Sequence, residues 1–244
     1  MNEIEAPPIA DCSACPFCET LLPAARCQPG DICVRAESGR QIDRFLKRNP
    51  ELAPEYLRDG FWERRAIAVR YVPLELIVDL IDDPDEVVRR AVAYRLPVEH
   101  LQRLRNDPDR EVRITVADRL PLEELEAMVK DEDYLVRAYV AKRLPEGRLF
   151  RMICDLDEHV RKHVAARLPA PSLGLMAHDP DLQVRRIVAE RMNPESLVVM
   201  LSDPEWLIRY IVAERAPLPV AQKLAEDPVA DVREMALQRL EQGI

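Results

Sequence analysis

The sequence predicts an all-α fold, a solenoid of 24-residue repeats with a small cysteine-rich module at its N-terminal end. Two observations predict the solenoid. Aspartate, arginine and proline recur every 24 residues, and each row of 24 carries the apolar spacing of one α-helix followed by one short helix. A third observation sets the N-terminal segment apart: five of the six cysteines lie within residues 12–33.

Each row begins with a predicted α-helix, as in "DPDEVVRRAVAYRLPVEHLQRLRN" at 83–106. Asp83 followed by Pro84 predicts the helix start, because a carboxylate caps free N–H groups and proline fits the first turn. Pro97 disfavours helical geometry at the preceding residue and so ends the helix. The apolar stripe of this helix comprises Val88, Val92, Ala93 and Leu96.

The second half of each row predicts a shorter segment. After the first two residues of "PVEHLQRLRN", only Leu101 and Leu104 are apolar. Their i, i+3 spacing suits a 3₁₀-helix as well as an α-helix. A row is therefore one α-helix plus one short helix, and rows stack on their neighbours.

Charged residues recur with the same period. We call the first set the aspartate column: Asp59, Asp83, Asp107, Asp131, Asp155, Asp179, Asp203 and Asp227. The first arginine column is Arg65, Arg89, Arg113, Arg137, Arg161, Arg185, Arg209 and Arg233. A guanidinium bonded to a carboxylate or to exposed carbonyl groups between rows would satisfy helix ends. We therefore expect a structural role for this column rather than a phosphate-binding or nucleic-acid-binding face.

A second arginine column lies six residues further along each row and comprises Arg95, Arg119, Arg143, Arg167, Arg191, Arg215 and Arg239. The offset places it on another face of the helix. We expect a solvated face there, whose arginines interact with the dipole at the C-terminal end of the helix.

These rows resemble the leucine-rich repeat variant family, whose motif D-P-x-x-x-V-R-x-x-V-A-x-R-L-P-x-x-x-L-x-x-L runs through residues 59–240. The resemblance implies a right-handed superhelix of alternating α- and 3₁₀-helices without a β-sheet. HEAT repeats share the opening of the motif but need roughly 40 residues for two full helices. The 24-residue period excludes them.

The clustered cysteines indicate a metal site. Their spacing is C-x₂-C-x₂-C-x₈-C-x₅-C, and thiolates favour soft or borderline metals, which leaves an iron–sulfur cluster or zinc. Zinc commonly uses two paired knuckles, and Cys27 and Cys33 do not supply the second one. A short C-x₂-C run followed by scattered cysteines favours a [4Fe–4S] cluster. Spacing alone points to Cys12, Cys15 and Cys18 with one later cysteine.

A second resemblance narrows this choice. The stretch from Cys12 to about Tyr71, with "RCQPGDICV", "SGRQIDRFLKRNPELA" and "FWERRAIAVRY", resembles the iron–sulfur module that precedes leucine-rich repeat variant arrays in proteins of nitrogen-fixing bacteria. It implies one [4Fe–4S] cluster held by four cysteines. The implied ligand set is Cys12, Cys15, Cys27 and Cys33, with Cys18 as an alternative fourth ligand.

Three regions follow. Residues 1–39 form the predicted cysteine-rich cluster module, residues 40–58 a degenerate first repeat, and residues 59–244 the solenoid of about eight repeats. The stripe Ile42, Phe45 and Leu46 marks the helix of the degenerate repeat. Because no Gly/Ser linker separates it from Cys33, we expect the module to dock on this first repeat and to cap the solenoid.

Catalytic patterns are missing from the sequence, so we do not expect an enzyme. The four histidines are scattered, and His159 with His163 lacks the further ligands that a metal site requires. The chain has only six glycines and no glycine-rich phosphate loop. Cys154 stands at a polar turn position and is predicted to be a free surface thiol.

Composition and charge limit the partners. A net charge of −9 argues against nucleic acid and anionic lipid, and no apolar run is long enough for a membrane span. The acidic start "MNEIEAPPIADC" lacks the apolar region of a secretory signal, so we expect a cytoplasmic protein, in a compartment where thiols stay reduced.

The predicted function is a protein-binding scaffold whose iron–sulfur cluster caps the solenoid. No small-molecule substrate is evident, and the partner is an unidentified protein. The alternatives are a redox- or oxygen-responsive regulator and an electron-transfer protein, each using the [4Fe–4S] cluster.

Overall fold

The chain alternates α-helices with 3₁₀-helices in the computed structural model, which describes residues 9–243. Within that range no residue belongs to a β-strand, and one isolated antiparallel bridge joins Gln28 and Ile32. The all-α prediction is confirmed. The first eight residues of the predicted cluster module lie outside the described residues, as does Ile244.

Two compact units make up the chain, residues 1–121 and residues 122–244. In the first unit the α-helices are α1 (Gly39–Arg48), α2 (Trp62–Ala68), α3 (Glu86–Arg95) and α4 (Arg110–Arg119). The 3₁₀-helices between them are Pro50–Tyr56, Leu74–Leu76, Val78–Leu80 and Val98–Leu104.

The second unit repeats the same order. Its α-helices are α5 (Tyr134–Arg143), α6 (Glu158–Arg167), α7 (Leu182–Arg191), α8 (Trp206–Arg215), the short α9 (Leu218–Ala221) and α10 (Ala230–Gln242). Its 3₁₀-helices are Leu125–Met128, Glu146–Met152, Ala170–Met176, Pro194–Met200 and Gln222–Leu224. Across the described part of the chain, none of the helices combines the length and apolarity needed to cross a bilayer.

The core of each repeat consists of the predicted apolar stripe. Val88, Val92 and Ala93 of α3 are fully buried, as the 3.6-residue period requires. Leu96, just before Pro97, has ψ near 136° and ends the helix. Leu101 and Leu104 are buried from the following segment, which is a 3₁₀-helix.

The α-helices begin two residues later than predicted. Asp85, rather than Asp83, is the N-cap of α3, and its side chain accepts a hydrogen bond from Val87 N at 3.0 Å. Asp83 lies in the preceding turn and accepts from Asp85 N at 2.9 Å. The backbone at Asp85 is extended, with φ −93° and ψ 127°, which is the geometry of an N-cap. The aspartate column therefore shapes the turn before the helix.

The first arginine column is structural, as predicted. Arg137 donates from Nε and Nη2 to the two carboxylate oxygens of Asp155, at 2.8 and 2.9 Å. Its Nη1 donates to the backbone carbonyl of Asp131 at 2.8 Å. The same two-point contact between guanidinium and carboxylate recurs in the pairs Arg65–Asp83, Arg89–Asp107, Arg161–Asp179, Arg185–Asp203 and Arg209–Asp227. Each such pair joins one repeat to the next.

The second arginine column is not a solvated face, and that part of the prediction is wrong. Arg167 is half-buried, and its Nη1 donates to the carbonyls of Ala141 and Leu144 at 2.7 and 2.8 Å. These carbonyls belong to the end of the preceding α-helix, where no intrahelical donor remains. The predicted interaction with the helix C-terminus is thus present, but it draws the side chain inward. Consistent with this, burial lowers the pKa of Arg119.

Candidate metal centre

The cysteine segment folds as a series of tight turns, and no helix occurs between residues 9 and 38. Cys15 N donates to Cys12 O at 3.1 Å, and Cys18 N donates to Cys15 O at 3.1 Å. Each C-x₂-C spacing therefore closes one turn of the chain. Ala25 and Gly30 both have positive φ, 54° and 78°, and Gly30 adopts this conformation without steric cost.

The later cysteines are brought together by the bridge between Gln28 and Ile32. The N–H group of each residue donates to the carbonyl of the other at 2.8 Å. Cys27 precedes Gln28 and Cys33 follows Ile32, so the bridge places the two cysteines next to each other. Gly30 occupies the bend between them.

One small cavity collects four of the five cysteines. It is lined by Cys12, Cys15, Cys27 and Cys33 together with Phe17, Gln28, Pro29, Ile32, Val34, Arg35 and Phe45. Phe17 and Phe45 contact each other with ring centroids 5.5 Å apart. Cys33 is buried, whereas Cys12, Cys15 and Cys27 are half-exposed. Cys18 is also half-exposed but is not part of the lining.

The donor set fits an iron–sulfur cluster in kind, because the cavity offers four soft thiols and neither carboxylate nor imidazole. The cavity volume is about 20 Å³, which is room for one water molecule. No three Cys, His, Asp or Glu side chains within residues 9–243 converge closely enough to hold one metal ion. The turns that carry the thiols would have to move apart to seat a group of several atoms.

The thiols influence one another electrostatically. Burial raises the pKa of Cys12, and the neighbouring Cys33, Cys15 and Cys18 raise it further. Burial also raises the pKa of Cys27, with added contributions from Cys15, Cys12 and Cys33. Bare thiolates would repel one another here, and a metal centre that replaces their protons removes that repulsion.

The segment is docked on the first repeat. Cys33 N donates to the backbone carbonyl of Gln41 in α1 at 3.3 Å. Arg48 Nη1 donates to Ala25 O at 2.8 Å, and Arg64 Nε of α2 donates to Val34 O at 2.8 Å. The predicted packing of the module on the first repeat is confirmed.

Asn49 is a contact that sequence reasoning missed. It is fully buried, and its Nδ2 donates to Arg26 O at 3.0 Å and to Phe45 O at 2.9 Å. It therefore joins the backbone next to Cys27 to the C-terminal end of α1. The available signal was the tripeptide Asn49-Pro50-Glu51, whose polar first residue interrupts an apolar pattern.

The remaining candidate residues lie elsewhere. Cys154 is exposed in the turn before α6, consistent with a free surface thiol. The Nε2 atom of His159 lies 3.6 Å from Oε1 of the neighbouring Glu158, and the imidazole ring lies 6.1 Å from the ring of Tyr134, measured between centroids. His163 is half-buried, and burial lowers its pKa. Neither histidine belongs to the cysteine cavity.

Comparison with known families matches both parts of the chain. Residues 8–55 match the family described as "LRV protein FeS4 cluster". Residues 87–109, 110–133 and 158–181 match the family described as "Leucine rich repeat variant". The first match spans the cysteine turns together with α1, and it implies an iron–sulfur cluster.

Two relatives extend the match. A protein of Rhodobacter capsulatus, described as an uncharacterized 27.7 kDa protein in the nifB 3' region, is 37% identical over 86 residues. The chain spans about a third of that relative's length, 35%. A solved structure, described as a leucine-rich repeat variant with a novel repetitive protein structural motif, is 59% identical, with a TM-score of 0.90 over 95% of this chain and 99% of the other. This chain therefore belongs to the leucine-rich repeat variant family, and its N-terminal residues form the iron–sulfur cluster segment of that family.

Proposed function

We propose that the protein is a scaffold that binds another protein through its repeats, with a [4Fe–4S] cluster that fixes the N-terminal segment as a cap on the first repeat. The observation that supports this most is the shared cavity wall: four thiols and Phe45 of α1 line the same space. A group bound there would tie the cysteine turns directly to the first helix.

The proposed ligands are Cys12, Cys15, Cys27 and Cys33, because these four line the cavity. Cys18 remains an alternative fourth ligand, since it lies close enough to raise the pKa of Cys12. A bound cluster can supply reversible one-electron chemistry. The chain's own residues orient the thiols, exclude water from one side through Phe17 and Phe45, and hold the loop to α1 through Asn49.

Single Cys→Ser variants, purified without oxygen, test the ligand set. The wild-type protein should contain about four iron and four sulfide per chain. Substitution of each proposed ligand should abolish or strongly reduce this content, whereas Cys18→Ser should retain it. Stoichiometric zinc without sulfide would refute the cluster, and loss of iron only in Cys18→Ser would refute the assignment of Cys18.

A second candidate function is an oxygen-responsive regulator, in which loss of the cluster changes the cap and thereby partner binding. The half-exposure of Cys12, Cys15 and Cys27 favours it, because oxidants can reach those positions. An electron-transfer role has less support, since a long repeat array adds nothing that electron transfer needs. We propose no catalytic activity and a cytoplasmic location.

Affinity capture from anaerobic extract separates scaffold from regulator. The Rhodobacter relative is described as lying in the nifB 3' region, which supports the use of cells grown under nitrogen-fixing conditions. A scaffold should capture the same partner with and without its cluster. A regulator should lose or exchange the partner when the cluster is removed by air, and capture of no specific protein in either state would contradict both.

A further inference from the structure

The helices of the first unit form a groove that the cluster site does not use. It lies across α1, α2 and α3 and has a volume of about 670 Å³, within the range of ligand-binding clefts. Gly39, Ala66 and Ala91 are small residues of its lining. Trp62 and Tyr94 also line it and are 37% and 62% exposed.

The groove is positively charged on an acidic protein. Its lining includes Arg40, Arg70, Arg90 and Arg95 but only two carboxylates, Asp43 and Glu63. The chain as a whole has a net charge of −9. A local excess of positive charge in this setting attracts a ligand that carries negative charge at matching positions.

Both carboxylates of the groove already have positive partners. Asp43 Oδ1 accepts from Arg70 Nη1 at 3.1 Å and from Tyr71 Oη at 2.9 Å. The carboxylate of Glu63 lies directly against Gly39, in a position that any side chain at residue 39 would occupy. Gly39 is the first residue of α1, so the helix N-terminus balances the charge of Glu63.

Two of the arginines are available to a ligand. Arg95 donates to Val69 O and is therefore engaged. Arg40 is exposed and Arg90 half-buried, and neither guanidinium group forms a hydrogen bond or ion pair with any residue in the range that the structure describes. Arg40 belongs to α1 and Arg90 to α3, and the same groove is lined by Trp62 of α2 and Tyr94 of α3.

We propose that this groove binds an acidic peptide segment of a partner protein, with Arg40 and Arg90 paired to its carboxylates and an apolar side chain packed against Trp62 and Tyr94. This inference rests on the proposed scaffold function and names the chemistry of the partner. Guanidinium groups bind carboxylates bidentately, and partly exposed aromatic side chains are frequent anchors at interfaces. A nucleic acid fits less well, because its dense phosphate charge would be repelled by the acidic remainder of the chain.

The experiment is selection from a displayed library of random peptides on the anaerobically purified full chain, followed by affinity measurement with fluorescent copies of the enriched peptides. Enriched peptides should be rich in Asp and Glu and carry an aromatic or aliphatic residue. Their affinity should fall as salt is raised. A single-stranded oligonucleotide of equal length serves as the nucleic-acid probe.

Variants place the binding site. The double variant Arg40→Glu/Arg90→Glu should weaken binding by about tenfold or more, and Tyr94→Ala should weaken it severalfold. Arg58→Glu is the charge control for the single variants Arg40→Glu and Arg90→Glu, since each of the three reverses one positive charge and Arg58 is exposed in the same unit but outside the groove. Tyr210→Ala is the matched aromatic control, since Tyr210 lines a separate groove of the second unit with Trp206, Asp231 and Glu234. Circular dichroism checks that each variant stays folded.

The groove proposal is overturned if the enriched peptides are not acidic, or if the groove variants bind them as tightly as the controls do. It is also overturned if the oligonucleotide binds more tightly and displaces the peptides. In the first two cases the scaffold function can still hold through another surface, and the affinity capture from extract judges it independently.

Discussion

A first-column arginine reaches the aspartate of the next repeat and the backbone of its own. In the second unit, Arg137 has a side chain that is 12% exposed and Asp155 one that is 7% exposed. The hydrogen bonds to Asp155 raise the pKa of Arg137 above its ordinary value. Removing the guanidinium would leave the nearly buried carboxylate of Asp155 with the Asp157 N–H but without its positive partner, and such a loss costs more than an exposed ion pair contributes.

Arg137→Ala should therefore lower the free energy of unfolding by about 2–4 kcal/mol. Arg137→Lys should recover only part of this, because an ammonium group cannot form the two-pronged contact. Arg186→Ala is the control: Arg186 pairs with Glu190 on the surface of α7 and should cost about 0.5 kcal/mol or less. Urea denaturation measures all three, and equal costs at both arginines would contradict the structural role.

Arg167→Ala tests the second arginine column. The change removes the donor to two carbonyls at the end of α5, Ala141 O and Leu144 O. We expect a loss of about 1–3 kcal/mol in the same denaturation experiment. A loss within about 0.5 kcal/mol would restore the interpretation of this column as a solvated face.

Asp227 links stability to pH. The hydrogen bond from Arg209 holds the pKa of Asp227 below its ordinary value of 3.8. A carboxylate whose pKa is lower in the folded state stabilises the fold above the unfolded-state pKa, and this contribution is lost as pH falls through the folded-state value. Asp227→Asn should thus be destabilising at neutral pH, and its difference from wild type should shrink below about pH 4.

Unfolding free energies at neutral pH and at about pH 3 would measure this difference. The exposed Glu241 in α10 offers a control through Glu241→Gln. A difference between Asp227→Asn and wild type that stays constant with pH would show that Asp227 is not stabilised as a carboxylate.

At the scale of the helix, the N-cap decides where each α-helix begins. Asp85, Asp109, Asp133, Asp157 and Asp181 each accept a backbone N–H with the side chain. Helix α8 has Glu205 at the same position, with φ −87° and ψ 123°, and its side chain makes no cap hydrogen bond. The backbone at residue 205 thus has the conformation of an N-cap, but the longer glutamate side chain does not form the capping hydrogen bond.

Glu205→Asp should stabilise the protein by about 0.5–1 kcal/mol, since a shorter carboxylate can reach the free N–H groups of α8. The mirror change Asp157→Glu should destabilise it by a similar amount, because Asp157 accepts from His159 N at 2.8 Å. Thermal and urea unfolding measure both. The two substitutions must change the free energy of unfolding in opposite directions, and a stabilising Asp157→Glu would refute the capping argument.

At the scale of the whole molecule, the repeats and the cysteine segment are stabilised differently. The repeats contain a buried apolar stripe and a first-column arginine that bonds an aspartate of the following repeat. Their stability therefore comes from stacking on their neighbours. Residues 9–38 contain no helix and bury chiefly Ile32, Cys33, Val34 and Ala36. A segment this short and core-poor usually depends on a metal or disulfides for its fold.

Removal of the cluster should therefore unfold the cysteine segment and leave the repeats intact. Limited proteolysis should cut the cluster-free protein between about residues 12 and 40 and leave a resistant repeat fragment, while the loaded protein resists in both regions. If the cluster-free segment is as resistant as the loaded one, contacts such as those of Asn49 and Arg48 fold it alone. The cap role would then be wrong and a redox role for a preformed site would gain support.

Much of the fold was predictable because its determinants are local. The stripe Val88, Val92, Ala93 and Leu96 and the proline that follows lie within three turns of one helix, and their spacing alone predicts the helix and its end. The helix start was predicted two residues early, because Asp83 and Asp85 carry the same side chain and only the extended backbone at Asp85 distinguishes the cap.

The sequence by itself determined the 24-residue period, the pairing of an α-helix with a short helix, and the clustering of thiols near the N-terminus, since these depend on residue type and short spacing. Only the tertiary structure decided which groups meet across longer separations. Arg137 bonds Asp155, 18 residues away, and Arg167 bonds Ala141, 26 residues away. The way the repeats stack decides both of these pairings. The same holds for the four cysteines that share a cavity and for the arginines of the groove, because packing and not spacing brings those turns and helices together.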